Sequence, residues 1–438
     1  MAFSFRGGIH PPYFKEKTAA SIIVKHPAPL ELVLPLSQHI GTPCTPLVRV
    51  GDRVLMGQKI GDSDAPVSLP IHSPVSGTVR AIEPRWHPSG IKQPAIVIEN
   101  DGQDDYYEYP SYFGDIQELA PETILSLARE SGIAGMGGAG FPLHLKLKTA
   151  MEKKVDTVII NGCECEPFLT ADHRAMVEYP SFIVRGIQLI LQCLGLHEAV
   201  IGIEDNKPDA IATMRASAEG TEIAVMELAS KYPQGGEKQL IRAVTGREIP
   251  PGKLPMDIGC AVFNVDTCAS LFRMVCKGTP LIKRIVTVTG PAVSTPQNLL
   301  VRLGTSYREL LEFCGLSEQP LRLISGGPMM GNAQHSLDIS VVKNTSALLA
   351  FGREDAEEEL DEPVCIRCGR CVAACPMRLL PNFIYMNASQ GNFLECAALH
   401  VQDCIECGCC SYVCPGKLYL VQGMRMAKGH LPRQEGKK

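Results

Sequence analysis

Two stretches near the C-terminus determine the chemistry and fold of that region: CIRCGRCVAACP at residues 365–376 and CIECGCCSYVCP at residues 404–415. Each contains four cysteines spaced C-x2-C-x2-C-x3-C, followed directly by proline. Three thiols two residues apart can surround one iron–sulfur cubane, while the fourth lies about one helical turn further on and points away. The following proline lacks a backbone N–H and ends the local turn. The repeated spacing therefore predicts two 4Fe–4S clusters and one-electron chemistry.

The same spacing is found in bacterial two-cluster ferredoxins, in which the fourth cysteine of each run ligates the other cluster. We assign the first cluster to Cys365, Cys368, Cys371 and Cys414, and the second cluster to Cys404, Cys407, Cys410 and Cys375. Cys409 is predicted to be a spare thiol. The alternative is a pair of zinc ribbons or reduced structural thiols. Zinc sites usually supply pairs of cysteines, so the spacing favours clusters.

Composition limits the remaining possibilities. The 438 residues suggest three to four domains, and 45% hydrophobic with 20% charged residues is typical of a globular protein. The net charge of -5 gives no general affinity for nucleic acid. Eighteen cysteines, without an apolar leader at residues 1–12, indicate a reducing cytosol rather than secretion. No apolar stretch is long enough for a transmembrane helix, so we expect any membrane link to go through a partner.

The order of strand, helix and turn signals predicts a multidomain protein of α/β and β type. A lipoyl-like barrel-sandwich domain without a carrier lysine precedes an α/β domain, a small β-grasp ligand-binding module and a two-cluster ferredoxin-like domain. The predicted boundaries are a Gly/Pro-rich segment at 1–30, the barrel sandwich at 31–114, the α/β domain at 115–282, the β-grasp module at 283–340, an acidic linker at 341–362, the ferredoxin domain at 363–420 and a basic tail at 421–438.

Three polar or Gly-rich segments within the α/β domain suggest a nucleotide site. GMGGAGFP at 135–142 allows backbone N–H groups to approach a phosphate or a flavin closely, and Lys146 follows. NGCECEP at 161–167 follows a predicted buried strand, and YPQGGE at 232–237 places an acid on a Gly turn. Alone, the first could be a tight turn and the acids could be helix caps. Cys163 and Cys165 are predicted to be small buried residues rather than a redox pair.

In this order, the three segments resemble the flavin- and NADH-binding subunit of respiratory complex I. Together with FRGGIHPP at residues 5–12 and the double cysteine motif, they are similar to the C-subunit family of Rnf complexes, which are ion-translocating ferredoxin:NAD+ oxidoreductases. The resemblance covers roughly residues 3–420.

The resemblance implies a cofactor, FMN, and a substrate, NAD(H). It implies FMN-binding roles for Gly135, Gly137, Gly138, Lys146, Asn161, Asn264 and Thr267, and places Phe141, Glu166 and Glu237 toward NADH. Two departures stand out. Met136 occupies a position where the complex I pattern has arginine, and Gly236-Glu237 offers one acid where that pattern has two.

The resemblance further implies an NADH-linked oxidoreductase subunit that exchanges a hydride at FMN and relays single electrons through the clusters. No protein acid or base is needed for hydride transfer, so no catalytic residue is assigned. Implied partners are the other Rnf-type membrane and iron–sulfur subunits and, indirectly, ferredoxin, at the cytoplasmic side of the cell membrane. Two alternatives remain: a soluble flavin iron–sulfur reductase serving cobalamin or a proline-reductase pathway, and a non-catalytic scaffold with a degenerate nucleotide site.

Overall fold

The computed structural model describes residues 3–112, 119–316, 319–355 and 363–431. Within these ranges the chain forms four units. No helix in the described part of the chain has the length and apolar character needed to cross a membrane.

The first unit is a β-sandwich preceded by one short helix and one strand. Its elements are α1 (Glu16–Ala19), β1 (Ile23–Lys25), β2 (Glu31–Pro35), β3 (Thr45–Pro46), β4 (Arg53–Val54), β5 (Lys59–Asp62), β6 (Ile71–His72), β7 (Gly77–Trp86) and β8 (Lys92–Asn100). β2, β8, β7 and β4 form one antiparallel sheet, and β3, β5 and β6 form another. Alternate residues such as Leu32, Leu34, Ile96 and Ile98 are buried between the two sheets.

The barrel sandwich packs against other units at the position where a carrier domain would present its modifiable lysine. Leu69, Ile71 and His72 are fully buried rather than exposed at a hairpin tip. The buried Lys343 of the third unit donates to the carbonyl oxygens of Pro70 and Gly132. This lysine therefore joins the first three units, as expected for a domain with a packing role.

The second unit is a four-stranded parallel sheet with helices on both faces. Its elements are α2 (Pro121–Glu130), α3 (Leu143–Glu152), β9 (Thr157–Asn161), α4 (Ala171–Glu178), α5 (Pro180–Leu194), β10 (Ala199–Glu204), α6 (Pro208–Ser217), β11 (Ile223–Leu228), α7 (Glu237–Thr245), β12 (Cys260–Asn264) and α8 (Val265–Lys277). The strand order is β11-β10-β9-β12. Val158 and Ile160 face one core and Ile159 faces another, because successive side chains of a strand alternate between its two faces.

The third unit is a mixed six-stranded sheet. Its elements are β13 (Lys283–Thr289), β14 (Gln297–Arg302), α9 (Tyr307–Phe313), β15 (Arg322–Ser325), β16 (Asn332–Gln334) and β17 (Ala347–Phe351). The sheet order β1-β14-β13-β17-β15-β16 corrects two predicted boundaries. β1 of the N-terminal segment pairs with β14, and β17 pairs with β13 and β15. Residues 347–351 therefore belong to this sheet rather than to a linker. Residues 356–362 of the predicted acidic linker lie outside the described ranges.

The fourth unit contains the cysteine runs. Its helices are α10 (Arg370–Ala374), α11 (Pro381–Ser389), α12 (Phe393–Ala398), α13 (Cys409–Tyr412) and α14 (Leu420–His430). Met424 and Ala427 of α14 are buried against Ile384 of α11. The predicted tail at 421–438 is thus wrong up to residue 431, because α14 supplies part of the core of this unit. Residues 432–438 lie outside the described ranges.

The N-terminal segment fastens the fourth unit to the second. The Gly8 N–H donates to the Ala374 carbonyl at 2.8 Å, and Ile9 exchanges both backbone hydrogen bonds with Tyr232 at 2.9 Å. Gly7 has φ +74°, and a Cβ there would lie 2.6 Å from the Cys375 carbonyl oxygen. Only glycine allows this close backbone approach.

We expect Gly7→Ala to destabilise the junction between the second and fourth units. Gly220→Ala is a matched control, because Gly220 has φ +79° but no atom within 4 Å of its Cβ position. In both variants, alanine in the left-handed conformation costs roughly 1–2 kcal/mol. Gly7→Ala adds a clash of about 1–3 kcal/mol. Thermal unfolding should show a larger drop in apparent Tm for Gly7→Ala, and equal drops would contradict the packing described here.

Candidate functional site

The carboxyl edge of the parallel sheet contains a topological switch point. From β9 the chain adds β10 and β11 on one side and then returns to place β12 on the other side of β9. Asn161 and Asn264 are the last residues of β9 and β12 and are paired in register. Ligands of open α/β sheets bind outside such a point. Two of the residues predicted from the sequence therefore meet where this fold favours a ligand.

Asn264 is held in a fixed orientation at the start of α8. Its Oδ1 accepts from the backbone N–H groups of Asp266 at 2.9 Å and Thr267 at 3.3 Å, while its Nδ2 donates to Asp172 at 2.6 Å. Burial raises the pKa of Asp172 to about 7, and the carboxylates of Glu164 and Asp266 act in the same direction. The amide thus caps a 13-residue helix whose N-terminus attracts anions.

The Gly-rich loop lies beside this helix start. The Gly135 N–H donates to the Phe141 carbonyl at 2.7 Å, which closes the loop, and the Met136 N–H donates to Thr267 Oγ1 at 3.0 Å. A Cβ on Gly137 would lie 2.9 Å from Asn264 Nδ2, whereas a Cβ on Gly138 would have no protein atom within 4 Å. The loop therefore packs tightly on Asn264 and leaves open space at Gly138, and together these residues form a cradle at the switch point.

Four more predicted residues have two roles: one anchors a loop, and three are accessible to solvent. Asn161 Nδ2 donates to the Gly235 carbonyl at 2.9 Å, which holds the Gly turn against the sheet. Lys146 Nζ donates to Glu237 Oε1 at 3.1 Å, and both side chains are accessible to solvent. Phe141 is 39% exposed. Lys146, Glu237 and Phe141 thus line the side of the site that a second ligand can reach.

Glu166 is placed differently from the other predicted residues. Its two carboxylate oxygens accept from the backbone N–H groups of Met329 at 3.1 Å and Met330 at 2.9 Å in the third unit. Burial raises the pKa of Glu166 to about 7, although these hydrogen bonds oppose the shift. Its carboxylate is therefore directed at the turn between β15 and β16.

The neighbouring cysteines behave as structural thiols. Cys163 and Cys165 are buried, and burial raises the pKa of both thiols. The Cys165 sulfur accepts from the Gly235 N–H at 3.3 Å. A protonated, buried thiol is a weak nucleophile, so this pair shapes the site without reacting there.

The eight motif cysteines surround two cavities of the fourth unit. Cys365, Cys368, Cys371 and Cys414 line one of them. Cys404, Cys407, Cys410 and Cys375 line the other, together with Cys409. Apart from Cys409, these are the two sets of the crossed assignment. Four thiols around a cavity suit a multi-iron cluster.

The two cavities differ in their surroundings. The second cavity faces the α/β unit, since Tyr232 Oη donates to the Cys407 carbonyl at 2.8 Å and Gln239 contacts Met377 at 3.4 Å. The first cavity faces outward, with Cys368 exposed and Ile366 66% exposed. Cys409 lies beside the second set, but its sulfur is directed at the Tyr232 carbonyl at 3.9 Å.

Tyr232 and the turn at residues 326–331 were not among the predicted site residues. Tyr232 precedes the Gly turn in sequence, and its full burial is a tertiary property that no local pattern shows. The segment Gly326-Gly327-Pro328 predicts a turn and nothing more specific. In the sequence, the glycines at 327 and 331 were the signal that could have indicated this contact, because glycine has no side chain to prevent close approach.

Four family models match the chain, in the order of the four units. They are the RnfC barrel sandwich hybrid domain at residues 3–103, the Nuo51 FMN-binding domain at 128–273, the SLBB domain at 285–333 and the 4Fe-4S dicluster domain at 358–415.

Curated relatives are similar over most of the chain. The C subunit of the proton-translocating ferredoxin:NAD(+) oxidoreductase complex of Clostridium ljungdahlii is 47% identical, over 88% of this chain and 84% of its own. The Na(+)-translocating counterpart of Acetobacterium woodii is 44% identical, over 99% and 98%. The C subunit of the ion-translocating oxidoreductase complex of Vibrio cholerae is 43% identical over 92% of this chain but only 52% of its own.

A solved structure shares the fold. The NAD+-reducing [NiFe]-hydrogenase in the H2-reduced state matches with a TM-score of 0.52 at 17% identity, covering 72% of this chain and 64% of that one. At this identity the likeness concerns the fold alone.

We expect Cys414→Ser to remove the first cluster and leave the second. Anaerobically reconstituted wild-type protein should hold roughly eight iron atoms per chain, as two four-iron clusters do, and the variant about four. Cys409→Ser is the matched control and should keep about eight, because Cys409 occupies an x position of the C-x2-C-x2-C-x3-C spacing. Loss of half the iron from Cys409→Ser, or none from Cys414→Ser, would contradict the grouping of the cysteines.

We expect Gly138→Ala to weaken FMN binding at least tenfold without changing the Tm of the flavin-free protein. The added methyl group meets no protein atom but enters the cradle. Titration of flavin fluorescence measures the affinity, and the Tm of the flavin-free variant is the internal control. Unchanged affinity would place FMN elsewhere.

Proposed function

The chain belongs to the C-subunit family of ion-translocating ferredoxin:NAD+ oxidoreductase complexes, and from this premise we propose how its residues carry out electron transfer. As an NADH-linked oxidoreductase subunit, it combines an FMN-binding domain with a 4Fe–4S dicluster domain. When bound, FMN supplies hydride exchange with NAD(H) and single-electron transfer, and the clusters carry single electrons.

The residues that would hold FMN are those of the cradle at the switch point. Gly137 and Gly138 offer backbone N–H groups, Gly138 leaves room, and Gly135 closes the loop through its hydrogen bond to the Phe141 carbonyl. The capped N-terminus of α8 at Asn264 and Thr267 attracts the phosphate. Asn161 fixes the Gly turn that closes the site, and Lys146 adds a positive charge nearby. Met136, at the position of the complex I arginine, is buried and contributes no charge.

NADH would approach from the solvent-accessible side of the site. Phe141 offers a partly exposed aromatic ring, and Glu237 offers a carboxylate at the start of α7. Carboxylates of this kind accept hydrogen bonds from ribose hydroxyls. The Lys146–Glu237 ion pair keeps both side chains in place before the nucleotide arrives. Neither group transfers a proton to the reacting atoms, so their roles are binding and orientation.

One observation supports this function above all others: the second cysteine cavity adjoins the α/β unit through the Tyr232–Cys407 hydrogen bond. A short distance between the flavin site and this cavity favours rapid electron transfer between them. The first cavity, with exposed Cys368, is then the place where electrons are exchanged with a partner. The protein contributes by fixing the positions of both cavities.

The partners are inferred from the family. The related proteins are named as parts of complexes that couple ferredoxin and NAD+ to ion translocation. We place this chain at the cytoplasmic side of the cell membrane, held there by other subunits of the complex. The soluble reductase and scaffold alternatives are not favoured, because whole-length relatives carry the names of complex subunits.

We expect Glu237→Gln to raise the KM for NADH about tenfold, because a charged hydrogen bond contributes roughly 1.5–3 kcal/mol. Steady-state NADH oxidation with an artificial one-electron acceptor measures it. Glu248→Gln is the matched control, since Glu248 lies beyond the same helix and is mostly exposed. Equal KM values for the two variants would remove Glu237 from the nucleotide site. Wild-type protein loaded with flavin and clusters that NADH cannot reduce would contradict the function itself.

A further inference from the structure

Glu166 connects the second unit to the third. It follows β9 of the second unit, and both its carboxylate oxygens are used by backbone N–H groups of the third unit. Each carboxylate oxygen accepts a hydrogen bond from a different backbone N–H, and the two donors belong to consecutive residues, Met329 and Met330. The carboxylate therefore fixes the backbone of the turn at residues 326–331 relative to the end of β9.

The turn at residues 326–331 is shaped to receive this carboxylate. A Cβ on Gly327 would lie 2.2 Å from Glu166 Oε2, and one on Gly331 would lie 2.4 Å from the Gly327 carbonyl. The Gly331 N–H donates to the same carbonyl at 2.8 Å, which closes the turn. Larger residues at either position would push the turn away from Glu166.

The opposite side of the turn touches the second cysteine loop. Gly408 lies between Cys407 and Cys409 with φ +81°, and a Cβ there would lie 3.1 Å from the Met329 carbonyl oxygen and 3.2 Å from its Cε. Met329 therefore packs directly on the loop that supplies three thiols to the second cavity. A shift of the turn would therefore change the packing of that loop.

Tyr232 holds the same loop from the other side. Its side chain is 1% exposed, its Oη donates to the Cys407 carbonyl at 2.8 Å, and the same Oη lies 3.5 Å from Glu166 Oε1. Its backbone is fixed by the paired hydrogen bonds to Ile9. The loop at 404–410 is thus clamped between Tyr232 and the turn anchored by Glu166.

We propose that Glu166 and Tyr232 are positioning residues for the second cluster, acting through the Cys407 carbonyl and the turn at 326–331. This deepens the function proposed above and rests on it for the presence of a cluster in the second cavity. Hydrogen bonds and solvent access around a cluster set its reduction potential. Loosening the clamp changes both at Cys407.

The test compares Glu166→Gln and Tyr232→Phe with Tyr412→Phe, whose parent side chain lies in the same module and is 50% exposed. Glutamine presents an NH2 group to one of the two backbone donors, and phenylalanine removes the bond to Cys407. Redox titration by EPR with chemical reductants gives the potential of each cluster without NADH. We expect each of the two variants to change the reduction equilibrium of the second cluster about tenfold, which is about 59 mV for one electron.

The first cluster should keep its potential in both variants, and Tyr412→Phe should change neither. A second-cluster potential that stays at the wild-type value in both Glu166→Gln and Tyr232→Phe would overturn the proposal. Tyr232→Phe keeps the test decisive if Glu166→Gln does not fold.

Failure of the underlying function gives a different result. If NADH reduces no cofactor in the wild type while the chemically poised potentials still shift in the two variants, the positioning roles stand and the NADH-linked function falls. If NADH reduces the wild type normally and neither potential shifts, the function stands and the positioning roles fall.

Discussion

Hydrogen bonds from two consecutive backbone N–H groups, those of Gly8 and Ile9, join the cysteine-bearing unit to the α/β unit. The first donates to Ala374, one residue before Cys375, and the second donates to Tyr232. These bonds fix the second cysteine cavity beside the loop that closes the nucleotide site. The Tyr232–Cys407 hydrogen bond and the packing of Gly408 on Met329 hold the same module. The structure has the module docked, so the route from nucleotide to thiols lies within one packed body.

The junction also explains why glycine occurs so often where units meet. Gly7 approaches the Cys375 carbonyl, Gly327 approaches Glu166, and Gly408 approaches Met329, each at a distance that a side chain would prevent. Close backbone contact brings the cofactor-binding loops together without intervening side chains. Each glycine loses more conformational entropy on folding than another residue would, which disfavours folding. Electron transfer benefits from the short separation that this packing provides.

Local sequence patterns predicted much of this architecture because local chemistry controls it. The cysteine spacing predicted two sets of four thiols, and the structure gathers the same sets around two cavities. The strand before Asn161 is confirmed as β9.

Long-range pairing accounts for what the sequence did not predict. β17 joins its sheet through partners more than 20 residues away, and α14 packs on a helix earlier in the chain. The direction of Glu166 depends on Met329 and Met330, more than 160 residues further along. Side-chain direction at such distances follows from tertiary packing, which spacing and periodicity do not encode.

The central claim is that the second cysteine set, and not the first, lies next to the NADH-reactive site. Rapid mixing of NADH with single-cluster proteins, followed by freeze-quench EPR, tests it most directly. In Cys414→Ser, which should retain the second cluster, NADH should reduce that cluster at close to the wild-type rate. In Cys375→Ser, which should retain the first cluster, reduction of that cluster should be slowed at least tenfold. Fast reduction of the first cluster in Cys375→Ser, with slow reduction of the second in Cys414→Ser, would contradict the account.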